Sequence, residues 1–334
     1  MSRQTLSGLL PGIAVLITGA LIARVVAPII PGVEYLLVAI LLGVIVTNTV
    51  GVPDIASPGV ETHKLWLATG IVLMGASLTI DQILESGVLV LSIVIGVTAF
   101  TLLYIEFLSR RVFDVRAKLS SLLAAGSSIC GVSAVVAVAG GIQAREEHIA
   151  YAAATVLLFD AATLFAYPIL GELLTIPDKV FGIWAGVTMF STGPVVAAGF
   201  THSTEAGQWA TVTKLTRNAL IGLVALAYAS YYTKKRTSGN NRIRVSELWN
   251  QFPKFIVGFI LLMLVASAGA FSEGQLNSLE NAYNWFFLVA FVGLGMEIRI
   301  SELRQAGIRP VVVVSVALIT ASSITLAGLL VLFG

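Results

Sequence analysis

Three ionisable side chains lie inside otherwise apolar stretches. Asp160 sits in ATVLLFDAATLF, and Lys214 and Arg217 sit in TVTKLTRNAL. Charge in such surroundings costs roughly a few kcal/mol or more and by default marks a functional site. Lys214 and Arg217 are three residues apart and share a helix face. Two cations beside one carboxylate leave a net positive site, which suits an anion. The plainer alternative, an Asp160–Arg217 salt bridge, leaves Lys214 without a partner. Other chemistries lack their residues. The single cysteine, Cys130, excludes a disulfide framework, a CxxC redox pair and a Cys-cluster zinc site. The histidines His63, His148 and His202 have no metal-ligand spacing. Neither GxxxxGK[ST] nor GxSxG occurs, so ATP-driven transport and serine hydrolysis have no sequence support. No metal, no cofactor and no catalytic residue is expected, and the chain reads as no enzyme.

Hydrogen-bond donors gather in two segments of small residues, Ala124–Gly141 (AAGSSICGVSAVVAVAGG) and Ala185–Gly199 (AGVTMFSTGPVVAAG). Pro194 lacks an N–H and crowds the preceding turn, so the second segment should break around Thr192–Gly193. Gly126 and Gly131 loosen the first. Unwound backbone at membrane depth survives only when it is buried in protein or lines a wet cavity. Each second half-helix then begins with exposed N–H groups and a partial positive charge, which favours an anion. On this reading Ser127, Ser128, Ser133, Ser191 and Thr192 donate hydrogen bonds to the oxygens of a small anion. Lys214 and Arg217 supply charge, and Asp160 couples transport to a proton or sodium ion. Cys130 reads as a packing residue, since no basic residue is near it in sequence. The bland alternative for both segments is close helix packing through small residues.

The elements that must hold these residues follow from composition. Hydrophobic residues make up 57% of the 334, charged residues 11%, and mean hydropathy is +0.93. Too little polar surface remains to cover a water-soluble core, so the chain is an all-α polytopic membrane protein. The net charge of +2 gives no argument for nucleic acid. Windows of about 20 apolar residues predict eleven helices, at roughly 8–30, 33–50, 62–80, 87–108, 118–141, 148–170, 179–200, 207–232, 252–271, 284–297 and 308–333. Together they form one transmembrane domain over 1–334, with a polar linker at about 233–251. Basic residues gather in the loops after the fourth, eighth and tenth: Arg110, Arg111, Arg116 and Lys118; Lys234, Lys235, Arg236, Arg242, Arg244 and Lys254; Arg299, Arg304 and Arg309. All three loops fall on one side, which the positive-inside rule makes cytoplasmic. The N-terminus is then inside and the C-terminus outside, in the cell membrane. Trp66, Trp209 and Trp285 fit as interfacial anchors. Leu73–Gly87 and Gly293–Gly307 align at Gly75/Gly295, Ile80/Ile300 and Gly87/Gly307. The loop charges give them opposite orientations, as in the inverted repeats of secondary transporters with discontinuous helices.

GSSICGVSAVVAV, then EEHIAYAAATVLLFDAATLFAYPIL, then VVAAGFTHSTEAGQWATVTKLTRNAL together resemble the sulfate exporter family of multi-spanning membrane proteins. The resemblance covers the second to eleventh helices. It carries Ser128, Cys130, Gly131 and Ser133 into the family's serine-glycine-cysteine motif. It carries Val195–Gly199 into a QVVAAG-type segment and Lys214, Leu215, Thr216 and Arg217 into a KLTR motif. It implies an architecture similar to inverted-repeat antiporters and symporters with crossed discontinuous helices. Relatives commonly show H-[DE]-x-x-Q before VVAAG. Here the matching positions hold Phe190, Ser191 and Pro194, so the roles of those family side chains do not carry over.

The expectation is a secondary transporter for a small anion, of sulfate, sulfite or organosulfonate type. Its partners are that anion, the lipid bilayer and a coupling ion, with a homo-oligomer left open. A sodium/proton antiporter of similar fold stays open as a rival, with Asp160 carrying the proton and Lys214 competing for it. Arg24 is given no role, and Glu106 is expected at an interface. Cysteines introduced at Ser238 and Ser278 should label from the cytoplasmic and external faces respectively, and labelling of both from one side would sink the topology.

Overall fold

The computed structural model describes residues 6–29, 34–77, 80–234, 254–303 and 307–333. Among them every regular element is helical. In chain order these are α1 (Leu6–Val26), α2 (Tyr35–Thr49), α3 (Ser57–Val60), α4 (His63–Met74) and α5 (Ile80–Phe107). Then come α6 (Ala117–Ser128), α7 (Val132–Ile142), α8 (Glu146–Leu173), α9 (Asp178–Thr188), α10 (Thr192–His202), α11 (Thr204–Asn218) and α12 (Ile221–Lys234). The last are α13 (Phe255–Ser267), α14 (Glu273–Glu297), α15 (Ile300–Leu303) and α16 (Ile308–Phe333). Four stretches, Gly8–Ile29, Gly87–Val112, Glu146–Leu173 and Ile308–Phe333, are long and apolar enough to cross a membrane. The expected linker lies outside the described residues from 235 onward, as do parts of both aligned repeat segments. The chain clusters into two compact units, Met1–Gly87 with Lys254–Ile300, and Val88–Pro253 with Ser301–Gly334.

The first unit is held by backbone-to-backbone crossings. A Cβ at Gly43 or Gly295 would collide with the carbonyl of Val292 or Ile40, so α2 and α14 touch where both residues lack a side chain. Gly12 and Gly59 do the same for α1 and α3. Polar groups collect at helix ends. Glu297 accepts from Lys64 at 2.8 Å and faces His63 at 3.5 Å. Asn48 links the end of α2 to the Ile298 carbonyl at 2.8 Å and the Ile300 N–H at 2.9 Å. Arg24 lies over the rings of Trp285 and Tyr35 at 4.8 and 5.5 Å.

The second unit departs from the expected succession of spans. Segments 118–141 and 179–200, each expected as one broken crossing, instead turn back on themselves. Lys118 at the start of α6 donates to the Gln143 carbonyl just past α7 at 2.5 Å. A straight path would hold these residues more than 30 Å apart at about 1.5 Å per residue. Phe181 near the start of α9 stacks on His202 at the end of α10, with ring centroids 4.0 Å apart. These are two re-entrant hairpins. Their arms run 11 or 12 residues, about 16–18 Å each, half a bilayer core.

The local causes are visible at each tip. Gly131 has φ +71° and ψ −138°, a conformation that side-chain-bearing residues avoid, and it reverses the chain between α6 and α7. In the second hairpin Met189 and Ser191 are extended. Pro194 falls in the first turn of α10, where a missing N–H costs nothing because that N–H has no helical partner. The break therefore precedes the expected Thr192–Gly193 position and occupies residues 189–191.

The hairpins enter from opposite ends of the unit. At the base of the first lie the start of α8, through Arg116–Glu147 at 3.9 Å, and the end of α12, through the Tyr232 hydroxyl on the Ala117 carbonyl at 2.9 Å. At the base of the second lie the end of α8, where Gly171 abuts Phe181 and His202, and the start of α11, where Ala206 and Trp209 abut Gly182. Thus α8 and the α11–α12 pair each run from one hairpin base to the other. Gly295→Val should force α2 and α14 apart and cost about 1–3 kcal/mol, read as a lower midpoint of SDS-induced unfolding. Gly96→Ala, at a glycine with open space around it, should leave that midpoint unchanged or raise it.

Candidate functional site

Ending four helices inside an apolar unit strands carbonyls and N–H groups that water cannot reach. The structure brings the two tips to a single place and meets their carbonyls with the cations of α11. Lys214 Nζ donates to the Ile129 carbonyl of the first tip at 2.7 Å and to the Met189 carbonyl of the second at 3.2 Å. Its third bond goes to the Phe190 carbonyl. Arg217 donates through Nε to Ser128 O at 2.5 Å and through Nη2 to Ser127 O at 2.6 Å. Its Nη1 reaches Met189 O at 2.6 Å and Gly186 O at 3.5 Å. Each cation therefore bridges both hairpins. Both side chains are fully buried.

These acceptors are the last carbonyls of α6 and α9 and of the turns that follow, the negative ends of two helices. The Asp160–Arg217 salt bridge considered from sequence is not what forms, since the partners of Arg217 are backbone carbonyls. Asp160, 4% exposed in α8, instead accepts the Ser191 N–H at the cap of α10 at 2.8 Å. A carboxylate thus faces a positive helix end while the cations face negative ones.

Among the residues read from sequence, Ser127 and Ser128 are fully buried at the end of α6, and their hydroxyls have no hydrogen-bond partner among the described residues. Ser191 and Thr192 are half-buried at the start of α10. Ser133 is exposed in the first turn of α7 and stands outside the buried cluster. Cys130 is a buried free cysteine in the first tip, beside the Ile129 carbonyl that Lys214 takes. Sequence reasoning missed Asn218, whose Nδ2 donates to Thr192 Oγ1 at 3.0 Å and whose Oδ1 is buried with no partner among the described residues. The signal was its spacing, four residues after Lys214 and hence on the same helix face. It also missed the net of Tyr167, Thr188, Trp184 and Ser322, which ties α8, α9 and α16 together at 2.9–3.1 Å. Glu106, expected at an interface, pairs with Arg110 at 2.5 Å and accepts from Ser121 at 2.7 Å near the base of the first hairpin.

Residues 7–314 match a family described as "Conserved hypothetical protein 698". The chain belongs to this family. It is 32% identical over 312 residues to a UPF0324 membrane protein of Nitratidesulfovibrio vulgaris, covering 90% of this chain and 86% of the relative. It is 30% identical over 325 residues to one of Agrobacterium fabrum, covering 95% and 92%. A Rhodopirellula baltica relative is 32% identical over 285 residues, and there the match covers 81% of this chain and about half, 52%, of the relative. No solved structure matches the chain. With relatives named membrane proteins and helices of membrane-spanning length, this UPF0324 family chain is an all-α membrane protein. Its Lys214 and Arg217 are fully buried in the protein, and the tip carbonyls are what makes charge there tolerable.

Arg217→Lys keeps the charge but offers three donors where a planar fork serves four carbonyls. Each buried carbonyl left unpaired costs about 1–3 kcal/mol. Arg217→Lys should lower the SDS unfolding midpoint clearly, and Arg217→Met should lower it further. A midpoint equal to wild type in both would show that the tip carbonyls do not depend on the guanidinium.

Proposed function

We propose that the protein is a secondary transporter that moves a small oxyanion, of sulfate, sulfite or organosulfonate type, across the cell membrane. One observation carries this reading. Two oppositely entering hairpins meet at a buried site where two cations stand beside one carboxylate. The two negative and two positive helix ends at the tips offset each other, so one positive charge remains in excess while both cations are protonated. A bound anion completes that balance. Unwound tips near a midpoint, reached from opposite ends, are also what alternating access through inverted modules needs.

The unpartnered hydroxyls of Ser127 and Ser128, with Ser191 and Thr192 at the start of α10, are the donors best placed for the anion's oxygens. The first-turn N–H groups of α7 extend that set. We read the chain as nine crossings and two hairpins, in place of eleven crossings. The basic end of the second unit, carrying Arg110, Arg111, Arg116 and Lys118, is then cytoplasmic, with the N-terminus inside and the C-terminus outside.

Flux into proteoliposomes, run against a panel of oxyanions under imposed proton or sodium gradients, tests the reading. Lys214→Ala should remove most anion binding. Arg217→Lys should weaken flux by at least about tenfold, since an ammonium cannot copy two parallel N–H bonds. Asp160→Asn separates the rivals. For an anion carrier it leaves binding intact or stronger, whereas for a sodium/proton antiporter it abolishes transport. Unchanged anion flux in Lys214→Ala and Arg217→Ala, with a sodium flux lost in Asp160→Asn, would replace the anion carrier with the antiporter.

A further inference from the structure

The stoichiometry at Lys214 differs from that at Arg217 in a way that bears on coupling. An ammonium has three N–H donors and no lone pair, and Lys214 directs them at three carbonyls, Ile129 O, Met189 O and Phe190 O. A neutral amine has two N–H donors and one lone pair. Were the proton lost, one of the three carbonyls would face that lone pair instead of a donor, inside a buried site where an unpaired carbonyl is costly. The charge that complements the helix ends would vanish with it. Arg217 cannot follow, because a guanidinium stays protonated in proteins. One bridge between the tips is thus permanent, and the other depends on a proton.

We infer that Lys214 is the proton-binding site of the protein, its protonated form adding a second clamp between the two hairpin tips beside Arg217 and its neutral form loosening them. This deepens the anion-carrier reading and rests on it for its use. The proton that adds this clamp also supplies the excess positive charge that holds the anion, and when it passes from Nζ to water both are lost together. The assignment moves coupling from Asp160, the residue that the sequence pointed to. Asp160 accepts the Ser191 N–H, and a carboxyl keeps an acceptor oxygen in either protonation state, so its titration need not open a tip. The charged and titratable groups facing Lys214 are Asp160 from α8, Arg217 from its own helix and Cys130 from the first tip. The second tip, Met189, Phe190 and Ser191, brings none.

The test needs no substrate. Hydrogen exchange of the full chain in lipid nanodiscs is followed for peptides covering 122–136 and 184–196 between pH 6 and pH 10, corrected for the intrinsic pH dependence of exchange. Protection of both tips in wild type should fall at least about tenfold across that range. Lys214→Arg, with a fixed charge, should show no such fall, and Lys214→Met should be weakly protected throughout. Asp160→Asn and Cys130→Ser should retain the wild-type fall. The inference is overturned by flat protection in wild type, by a fall in Lys214→Arg that matches wild type, or by loss of the fall in Asp160→Asn or Cys130→Ser. Should neither Lys214 variant fold, wild type and the two control variants decide the matter. Failure of the anion reading would appear in the flux panel and leave this result standing.

Discussion

A helix that ends inside an apolar interior leaves its last carbonyls without partners, and the organisation of the second unit follows from how those carbonyls are met. Two hairpins end four helices at one place. Lys214 and Arg217 answer with donors to Ser127, Ser128 and Ile129 on one tip and to Gly186, Met189 and Phe190 on the other. Neither cation would be tolerated at this depth without the carbonyls, and neither tip would be tolerated without the cations. The dependence is mutual, so the tips and α11 form one cooperative element.

The same dependence explains why two long helical stretches of the unit run where they do. The α11–α12 pair must pass both tips to deliver Lys214 and Arg217, and it runs from the base of the second hairpin to that of the first. The other, α8, runs the opposite way and brings Asp160 to the cap of α10. Within the unit, a hairpin followed by a long helical stretch occurs twice in sequence, with reversed direction. Positive helix ends meet a carboxylate and negative ends meet cations.

The first unit uses different physics. Its helices touch backbone to backbone at Gly43 with Gly295 and Gly12 with Gly59, and its charged groups, Glu297, Lys64 and His63, sit at helix ends. The matched glycines of the weak internal repeat, Gly75 and Gly295, both lie against the carbonyl of a crossing helix, from Phe259 and Ile40 respectively. The departure at Phe190 from the resembled family's histidine also gains a physical reading. Phe190 gives Lys214 its backbone carbonyl, which any residue supplies, while its ring packs edge-on to Phe159 at 6.0 Å.

The amino-acid sequence by itself determined the medium, the class of structure and the charged residues that the fold must bury. A mean hydropathy of +0.93 leaves no soluble alternative, and Asp160, Lys214 and Arg217 stand out because charge is costly among apolar neighbours. It also located both breaks to within a few residues, since Gly131 and Pro194 act through local backbone geometry. The direction of the chain after each break was decided only in three dimensions. Periodicity and length read the same for a kinked span and for a hairpin whose arms are half as long. The loop charges gave no warning, because replacing two crossings by two hairpins would leave the parity of the later loops unchanged. The partners of the cations were equally hidden, since backbone carbonyls leave no mark on residue identity. Which carbonyls a broken helix exposes, and which side chain reaches them, is settled by packing alone.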